Sequence, residues 1–288
     1  MNLFTISMRS NALRKRTQFN VLVPENAKQP LRVLWALHGM TDDHTGWLRC
    51  TTIELLAEQY EFAVVVPNAD LSFYVDMAYG ADYFSFLSRE LPIFIEKHFG
   101  TSTKKEDNFI IGNSMGGYGA FFTALSCPNQ YAAAISLAGP MRIDWIHKVL
   151  SDVDLAKKYA QSDSAGIAEV AQEFSEKTQV PLPLVQSLME FGDLCTVRTF
   201  QAMFGVGTEL RGSKLDIFHL ADLLAESCIP LKLMAYCGKQ DYHYSSNLSF
   251  AEHLKTKTLD YSLVTGDGRH DWNYWNPAIE SALCKLFA

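Results

Sequence analysis

Residues Asn108 to Leu125 constrain this chain most. They run from a short apolar stretch, Asn108-Phe109-Ile110-Ile111, through Gly112-Asn113-Ser114-Met115-Gly116, into Gly117-Tyr118-Gly119-Ala120-Phe121-Phe122-Thr123-Ala124-Leu125. The first piece reads as a buried strand and the last as a helix. Between them a serine has glycine two residues before it and two after. A chain that turns sharply from strand to helix at such a point strains the serine and pushes its hydroxyl out of the backbone. Glycines at the flanking positions keep side chains from crowding the turn. The pentapeptide G-x-S-x-G arises by chance in many chains; the strand–turn–helix context makes it specific here.

The rest of the sequence repeats the same rhythm. Strand-like runs occur at Gln18 to Val23, Leu31 to Leu37, Phe62 to Val66, Tyr131 to Leu137, Leu231 to Cys237 and Leu259 to Val264. Several are unbroken apolar stretches, the pattern of parallel strands covered on both faces. Helical patterns separate them, at Thr51 to Tyr60, Tyr83 to Phe99, Asp216 to Glu226, Ser246 to Lys257 and Pro277 to Phe287. Alternation of this kind predicts an α/β fold: a mostly parallel sheet with helices on both faces and right-handed crossovers. The first strands are expected to pair antiparallel at an edge. From about Met141 to Arg211 no strand is predicted. This stretch of about 70 residues is too long for an ordinary loop, and it reads as a helical insertion, a cap over the carboxyl edge of the sheet or a peripheral decoration. The expectation is one domain over residues 1–288 with that insertion.

Composition narrows the partners. Of 288 residues 48% are hydrophobic and 20% charged, enough for a sizeable core, and the formal charge of −7 argues against a nucleic-acid or anionic-membrane surface. No apolar run approaches the roughly 20 residues of a membrane span. The first eight residues precede Arg9 and the basic Arg14-Lys15-Arg16, the wrong order for a signal peptide. The six cysteines at 50, 127, 195, 228, 237 and 284 form no C-x-x-C pair. They are expected to be reduced, mostly buried thiols of a cytoplasmic protein.

A serine hydroxyl needs a base, and the base needs a group that fixes its tautomer. On a strand–turn–helix elbow the chain order is serine, acid, histidine. His147 and His219 precede the last strands, and His253 lies within a helix among charged neighbours and is expected to face solvent, so His243 and His270 remain. Asp241 follows the strand ending at Cys237, and His270 follows the strand ending at Val264. They fit the orienting acid and the base. Asp267 and Asp271 are alternative acids, close to His270 in sequence. An oxyanion needs preorganised N–H donors. The Met115 amide, next after the serine, is one. The Met40 amide is the favoured second, because Leu34-Trp35-Ala36-Leu37 ends in His38-Gly39 and a glycine lets the backbone turn its amides inward. His38 itself reads as a scaffold residue. Asp42, Asp43 and His44 could suggest a metal-dependent hydrolase, but such a cluster is usually a solvated turn. No metal or organic cofactor is implied.

Taken together the residues resemble the bacterial tributyrin-esterase and acetyl-esterase group of the esterase D-like α/β-hydrolases, whose relatives include S-formylglutathione hydrolases and feruloyl esterases. The matching pieces are Leu37-His38-Gly39-Met40 with Trp47-Leu48-Arg49, Phe73-Tyr74-Val75-Asp76-Met77-Ala78-Tyr79-Gly80, Gly112 to Ala120, Tyr236-Cys237-Gly238-Lys239-Gln240-Asp241, and Gly268-Arg269-His270-Asp271-Trp272-Asn273-Tyr274-Trp275. The resemblance implies an α/β-hydrolase fold, Ser114 as nucleophile, Asp241 as acid, His270 as base, and Met40 with Met115 as oxyanion donors. It implies a serine carboxylesterase for short-chain acyl esters of small molecules, with Trp47, Tyr74, Tyr79 and Trp272 near the substrate. A sugar acetate, a xylan fragment and a small aliphatic ester are all admissible. The relatives suggest a homo-oligomer. Thioester hydrolysis, acyl transfer, and a binding protein on a hydrolase scaffold are the alternatives. The insertion looks longer than its counterpart in the family.

Overall fold

A computed structural model of the protein describes residues 1–26, 28–150, 152–162, 164–189 and 194–287. Eight strands form one sheet: β1 (Asn2–Ser10), β2 (Lys15–Val23), β3 (Arg32–Leu37), β4 (Phe62–Pro67), β5 (Asn108–Asn113), β6 (Ala133–Leu137), β7 (Lys232–Gly238) and β8 (Asp260–Gly266). Their order is β1-β2-β4-β3-β5-β6-β7-β8. The strands from β4 to β8 run parallel, and β2 pairs antiparallel with both β1 and β4. The central strands are fully buried, as their unbroken apolar sequences require: Phe62–Pro67 and Asn108–Asn113 expose no residue.

The chain leaves β3 for β4 on one side and later enters β5 on the other. Open α/β sheets bind ligands at such a reversal, outside the carboxyl ends of the strands. The register aligns those ends, with Leu37 opposite Gly112, Asn113 opposite Leu137, Leu137 opposite Tyr236, and Gly238 opposite Gly266.

The helices that matter are α1 (Ile53–Tyr60), α2 (Leu91–Phe99), α3 (Met115–Ser126), α4 (Ile143–Leu150), α5 (Val153–Gln161), α6 (Ser164–Thr178), α7 (Leu182–Met189), α8 (Leu194–Phe204), α9 (Ile217–Ser227), α10 (Tyr244–Leu254) and α11 (Trp272–Phe287). Of these, α3 is almost wholly buried, from Met115 to Leu125, so its sequence is apolar all round. One core cluster joins α1 and α11 to the sheet through Leu56, Ala57, Phe62, Ile111, Ile135, Met234, Ile279 and Leu283.

Two compact units emerge from the fold. One holds Met1–Asp76, Ala81–Met141 and Ile217–Ala288, including the whole sheet; the other holds Arg142–Asp216 with Met77–Gly80. The second is helical, as expected of the insertion. Within it α6 packs on α5 and α7, burying Leu155, Ala171, Phe174, Leu184 and Leu188. Met77–Gly80 joins this unit through two backbone bonds, Ala78 N–H to Met203 O at 2.9 Å and Tyr79 N–H to Ala202 O at 2.8 Å. Residues 151, 163 and 190–193 of the expected insertion lie outside the described residues.

Several expectations change. Strand β1 has no counterpart in the sequence reading, because an exposed edge strand carries a weak pattern. The predicted helix over Tyr83 to Phe99 contains a wider π turn at Phe86–Glu90. Pro92 lacks the N–H that would bond to Ser88, and the turn loosens just before it. The last helix begins at Trp272, not Pro277, because the Asp271 carboxylate caps it. Asp271 Oδ1 accepts from the N–H groups of Asn273 (3.0 Å) and Tyr274 (3.2 Å). The expectation of mostly buried thiols holds for Cys237 alone: Cys50 and Cys127 are half-buried, and Cys228 and Cys284 are exposed, all five being free. The side chain of Cys195 lies outside the described residues. His253 does not face solvent freely either, since its Nε2 lies 2.8 Å from Asp222 Oδ1. Among the described residues no helix is long and apolar enough to cross a membrane.

Candidate active site

The turn after β5 has the geometry that the pentapeptide predicts. Ser114 adopts φ 54° and ψ −121°, a region that costs a non-glycine residue of order 1–3 kcal/mol. Surroundings hold it there. Its N–H donates to Leu137 O at 2.8 Å, and its carbonyl accepts from Gly117 N–H at 2.8 Å as α3 begins. A Cβ on Gly112 would lie 2.1 Å from Gly116 O, and one on Gly116 would lie 2.2 Å from Leu37 O. The neighbours are backbone and cannot swing aside, so any other residue at either position would pry the elbow open. Ser114 remains partly accessible between two buried neighbours, Asn113 and Met115.

The next two groups come from the ends of β7 and β8. Lying three strands from β5 in the sheet, β8 is about 14 Å away at the usual strand spacing. Its loop therefore has to cross the end of β7 to reach the serine. The crossing is close, since a Cβ on Gly238 would sit 2.2 Å from Gly268 O. Three bonds stitch the two loops together: Lys239 N–H to Gly266 O (2.8 Å), Gln240 N–H to Gly268 O (3.0 Å), and Gly268 N–H to Gln240 Oε1 (2.6 Å).

This stitching delivers His270 between Asp241 and Ser114. His270 Nδ1 lies 2.8 Å from Asp241 Oδ2, and Nε2 lies 2.8 Å from Ser114 Oγ. A carboxylate only accepts, so Nδ1 carries the proton and Nε2 accepts from the serine hydroxyl. The Asp241 side chain is wholly buried and that of His270 is 13% exposed. The other Asp241 oxygen accepts from His243 N–H at 2.8 Å. Asn247 on α10 anchors this stretch, its Nδ2 donating to Gly139 O and His243 O, both at 3.0 Å. The alternative acid Asp271 is committed to capping α11, and Asp267 is exposed.

His243, the other candidate base, is buried beside His270 with ring centroids 5.4 Å apart. Burial first, and then the neighbouring His270, push its pKa down to about 3. It therefore stays neutral across the ordinary pH range.

The loop after β3 runs alongside the serine. A Cβ on Gly39 would lie 3.4 Å from Ser114 Cβ. His38 fixes this loop. Its Nε2 accepts from Ala69 N–H at 2.9 Å, which makes Nδ1 the donor to Gly39 O at 2.8 Å. Burial lowers its pKa, favouring this neutral form. Among the described residues, neither the Met40 nor the Met115 N–H donates to a protein acceptor.

Two of the residues expected near substrate are instead part of this scaffold. Trp47 is fully buried, and its Nε1 donates to Leu37 O at 3.0 Å. Tyr74 is buried with its hydroxyl donating to His38 O at 2.9 Å, and burial raises its pKa well above the usual phenol value. Both Phe73 and Tyr74 have positive φ, 51° and 59°. Ser72 holds that bend through its Oγ to Tyr74 N–H (3.1 Å) and its carbonyl to Val75 N–H (3.2 Å). Sequence cannot show which way an aromatic ring faces. Here the loop turns both rings inward. Trp272 is half-buried, edge-on to Trp47 at 5.8 Å and to Trp275 at 5.2 Å. Tyr79 lies in the second unit and is 72% exposed.

The Asp42-Asp43-His44 cluster is a self-contained turn. Asp42 pairs with Arg49 at 2.8 Å, and Asp43 Oδ1 accepts from the Thr45 N–H (2.8 Å) and hydroxyl (2.6 Å). Sequence reasoning missed Tyr242 and Asn247, and it named His243, Gln240 and Trp275 without assigning them as neighbours of His270 or ties behind it. Tyr242 was legible only as the residue after Asp241.

Comparisons with known proteins find esterases. The model of the Esterase family, described as "Putative esterase", matches residues 10–209. An acetyl esterase of Caldicellulosiruptor saccharolyticus is 26% identical over 295 residues, covering 98% of this chain and 97% of the relative. Among solved structures, a fluorophosphonate-binding serine hydrolase of Staphylococcus aureus, FphF, has a TM-score of 0.78 at 26% identity, covering 100% of this chain and 98% of its own. The apoenzyme of an S-formylglutathione hydrolase from the same organism, FrmB, has a TM-score of 0.72 at 27% identity, with both chains fully covered.

Proposed function

Because this chain belongs to the Esterase family, within its esterase D-like group, and is a carboxylic ester hydrolase of α/β-hydrolase fold, we propose that it hydrolyses short-chain acyl esters through Ser114, His270 and Asp241. The observation that carries the reading is the unbroken line of two 2.8 Å contacts from Asp241 through His270 to Ser114. As Ser114 Oγ attacks the ester carbonyl, His270 Nε2 takes its proton. Asp241 keeps the Nδ1 proton in place and stabilises the imidazolium. The Met115 and Met40 amides, free of protein acceptors, receive the developing oxyanion. His270 then protonates the departing alcohol, leaving an acyl-Ser114 ester. Water deprotonated by the same imidazole releases the acid.

The acetyl esterase similarity supports a small acyl group. A sugar acetate or a simple aliphatic ester is the substrate class, and Trp272 remains the residue proposed to contact it. The chain is read as one catalytic domain over residues 1–288 carrying a helical insertion at about 141–211, acting in the cytoplasm as a homo-oligomer.

A p-nitrophenyl ester series from acetate to octanoate, run beside S-formylglutathione, tests this. The expectation is the highest kcat/KM for acetate to butyrate and no turnover by Ser114→Ala. A thioester preference of about a hundredfold, roughly 2.7 kcal/mol in barrier, would replace the esterase reading with a thioesterase.

A further inference from the structure

Both nitrogens of His270 are occupied in the plane of the ring, Nδ1 by Asp241 and Nε2 by Ser114. What is left for other groups is the two faces of the ring and its C–H edges. Tyr242 takes a face at close range: its ring centroid lies 4.3 Å from that of His270, with the planes 36° apart. Trp275 meets the imidazole edge-on at 4.8 Å and 87°, and His243 at 5.4 Å and 73°. Tyr242 itself packs on His243 at 4.6 Å. Asp241 thus has on its carboxyl-terminal side an aromatic ring laid on the imidazole that it orients.

We infer that Tyr242 contributes to the reaction as a π-face for the His270 imidazolium, stabilising the charge that forms only as Ser114 is deprotonated. This rests on the reading of Ser114 and His270 given above. A ring face attracts a cation held within about 6 Å of its centroid. Before attack His270 is neutral, and Tyr242 gives it ordinary stacking contact. In the transition state the same contact becomes a cation–π interaction. The difference appears only after substrate is bound, so it raises kcat and leaves KM largely alone. The neighbouring ring is suited to this arrangement. His243 is held neutral by burial, so it adds no second positive charge beside the imidazolium, and Asp241 is the charged group in contact.

The test uses the full chain with p-nitrophenyl acetate. Tyr242→Phe keeps the face and should keep kcat. Tyr242→Leu should lower kcat by roughly 2- to 30-fold, the span of a cation–π contact, with KM little changed. Replacing Tyr242 by phenylalanines bearing one, two and three ring fluorines, which drain the face of negative charge at nearly constant shape, should lower log kcat stepwise. A packing role would not produce that gradient. If Tyr242→Leu fails to fold, the fluorine series carries the result alone. A flat fluorine series, with Ser114→Ala inactive, overturns this inference and leaves the triad standing. Retained activity in Ser114→Ala instead overturns the triad on which it rests.

Discussion

Asp241→Asn is the sharpest test of how the imidazole is prepared. The wild-type carboxylate is wholly buried and accepts twice, from His243 N–H at 2.8 Å on one oxygen and from His270 Nδ1–H at 2.8 Å on the other. Asparagine has the same shape but offers one acceptor and one donor. The His243 backbone N–H admits only an acceptor, so the amide oxygen must face it. The amide NH2 then faces His270 Nδ1. That nitrogen becomes an acceptor, and the ring proton moves to Nε2, where it points at the Ser114 hydroxyl. The base is thereby lost with every contact in place. Loss of the correct tautomer costs about 10⁴ in kcat in serine hydrolases of this design, about 5.4 kcal/mol of barrier. Stability should move by no more than about 1 kcal/mol, because both hydrogen bonds are retained. The assay is kcat for p-nitrophenyl acetate beside a urea-unfolding curve, with 15N shifts of His270 reporting the tautomer. A variant that folds normally and loses less than about tenfold, roughly 1.4 kcal/mol, would refute the claim that Asp241 sets the proton position.

Two further outcomes follow from the same contacts. Tyr74→Phe removes the donor to the buried His38 carbonyl, so it should cost about 1–2 kcal/mol of stability and leave KM unchanged; a raised KM with unchanged stability would return Tyr74 to the substrate. His243 has a folded-state pKa of about 3 against 6.5 unfolded. Between those values the unfolded chain binds a proton that the folded chain refuses. Its stabilising share is therefore complete above about pH 6.5 and is lost as pH falls toward 3, at up to about 1.4 kcal/mol per pH unit. Urea midpoints should drop between pH 7 and 5, and His243→Leu should flatten the decline; equal slopes would contradict it.

What the sequence made legible was local. The elbow around Ser114 could be read because its strand, turn, glycines and helix are contiguous, from Asn108 to Leu125. Asp241 and His270 could be placed because each follows a recognisable apolar run, buried as β7 before Asp241 and half-buried to exposed as the edge strand β8 before His270. What was not legible depends on neighbours far away in the chain. Strand β1 sits at an open edge, where little apolar burial marks it. The helical pattern in the sequence begins at Pro277, whereas the Asp271 cap starts α11 at Trp272. Trp47 and Tyr74 were expected at the substrate, because aromatic residues in a loop carry no mark of direction. Only the fold shows that their polar atoms serve Leu37 and His38. The rings of Tyr242 and Trp275 meet His270 only once β7, β8 and α11 are assembled.

The most direct measurement is the site of covalent attack. Intact-mass and peptide analysis of the protein treated with a fluorophosphonate should show one adduct per chain, on Ser114, and none in Ser114→Ala. An adduct on another residue, or undiminished labelling of Ser114→Ala, would contradict the account.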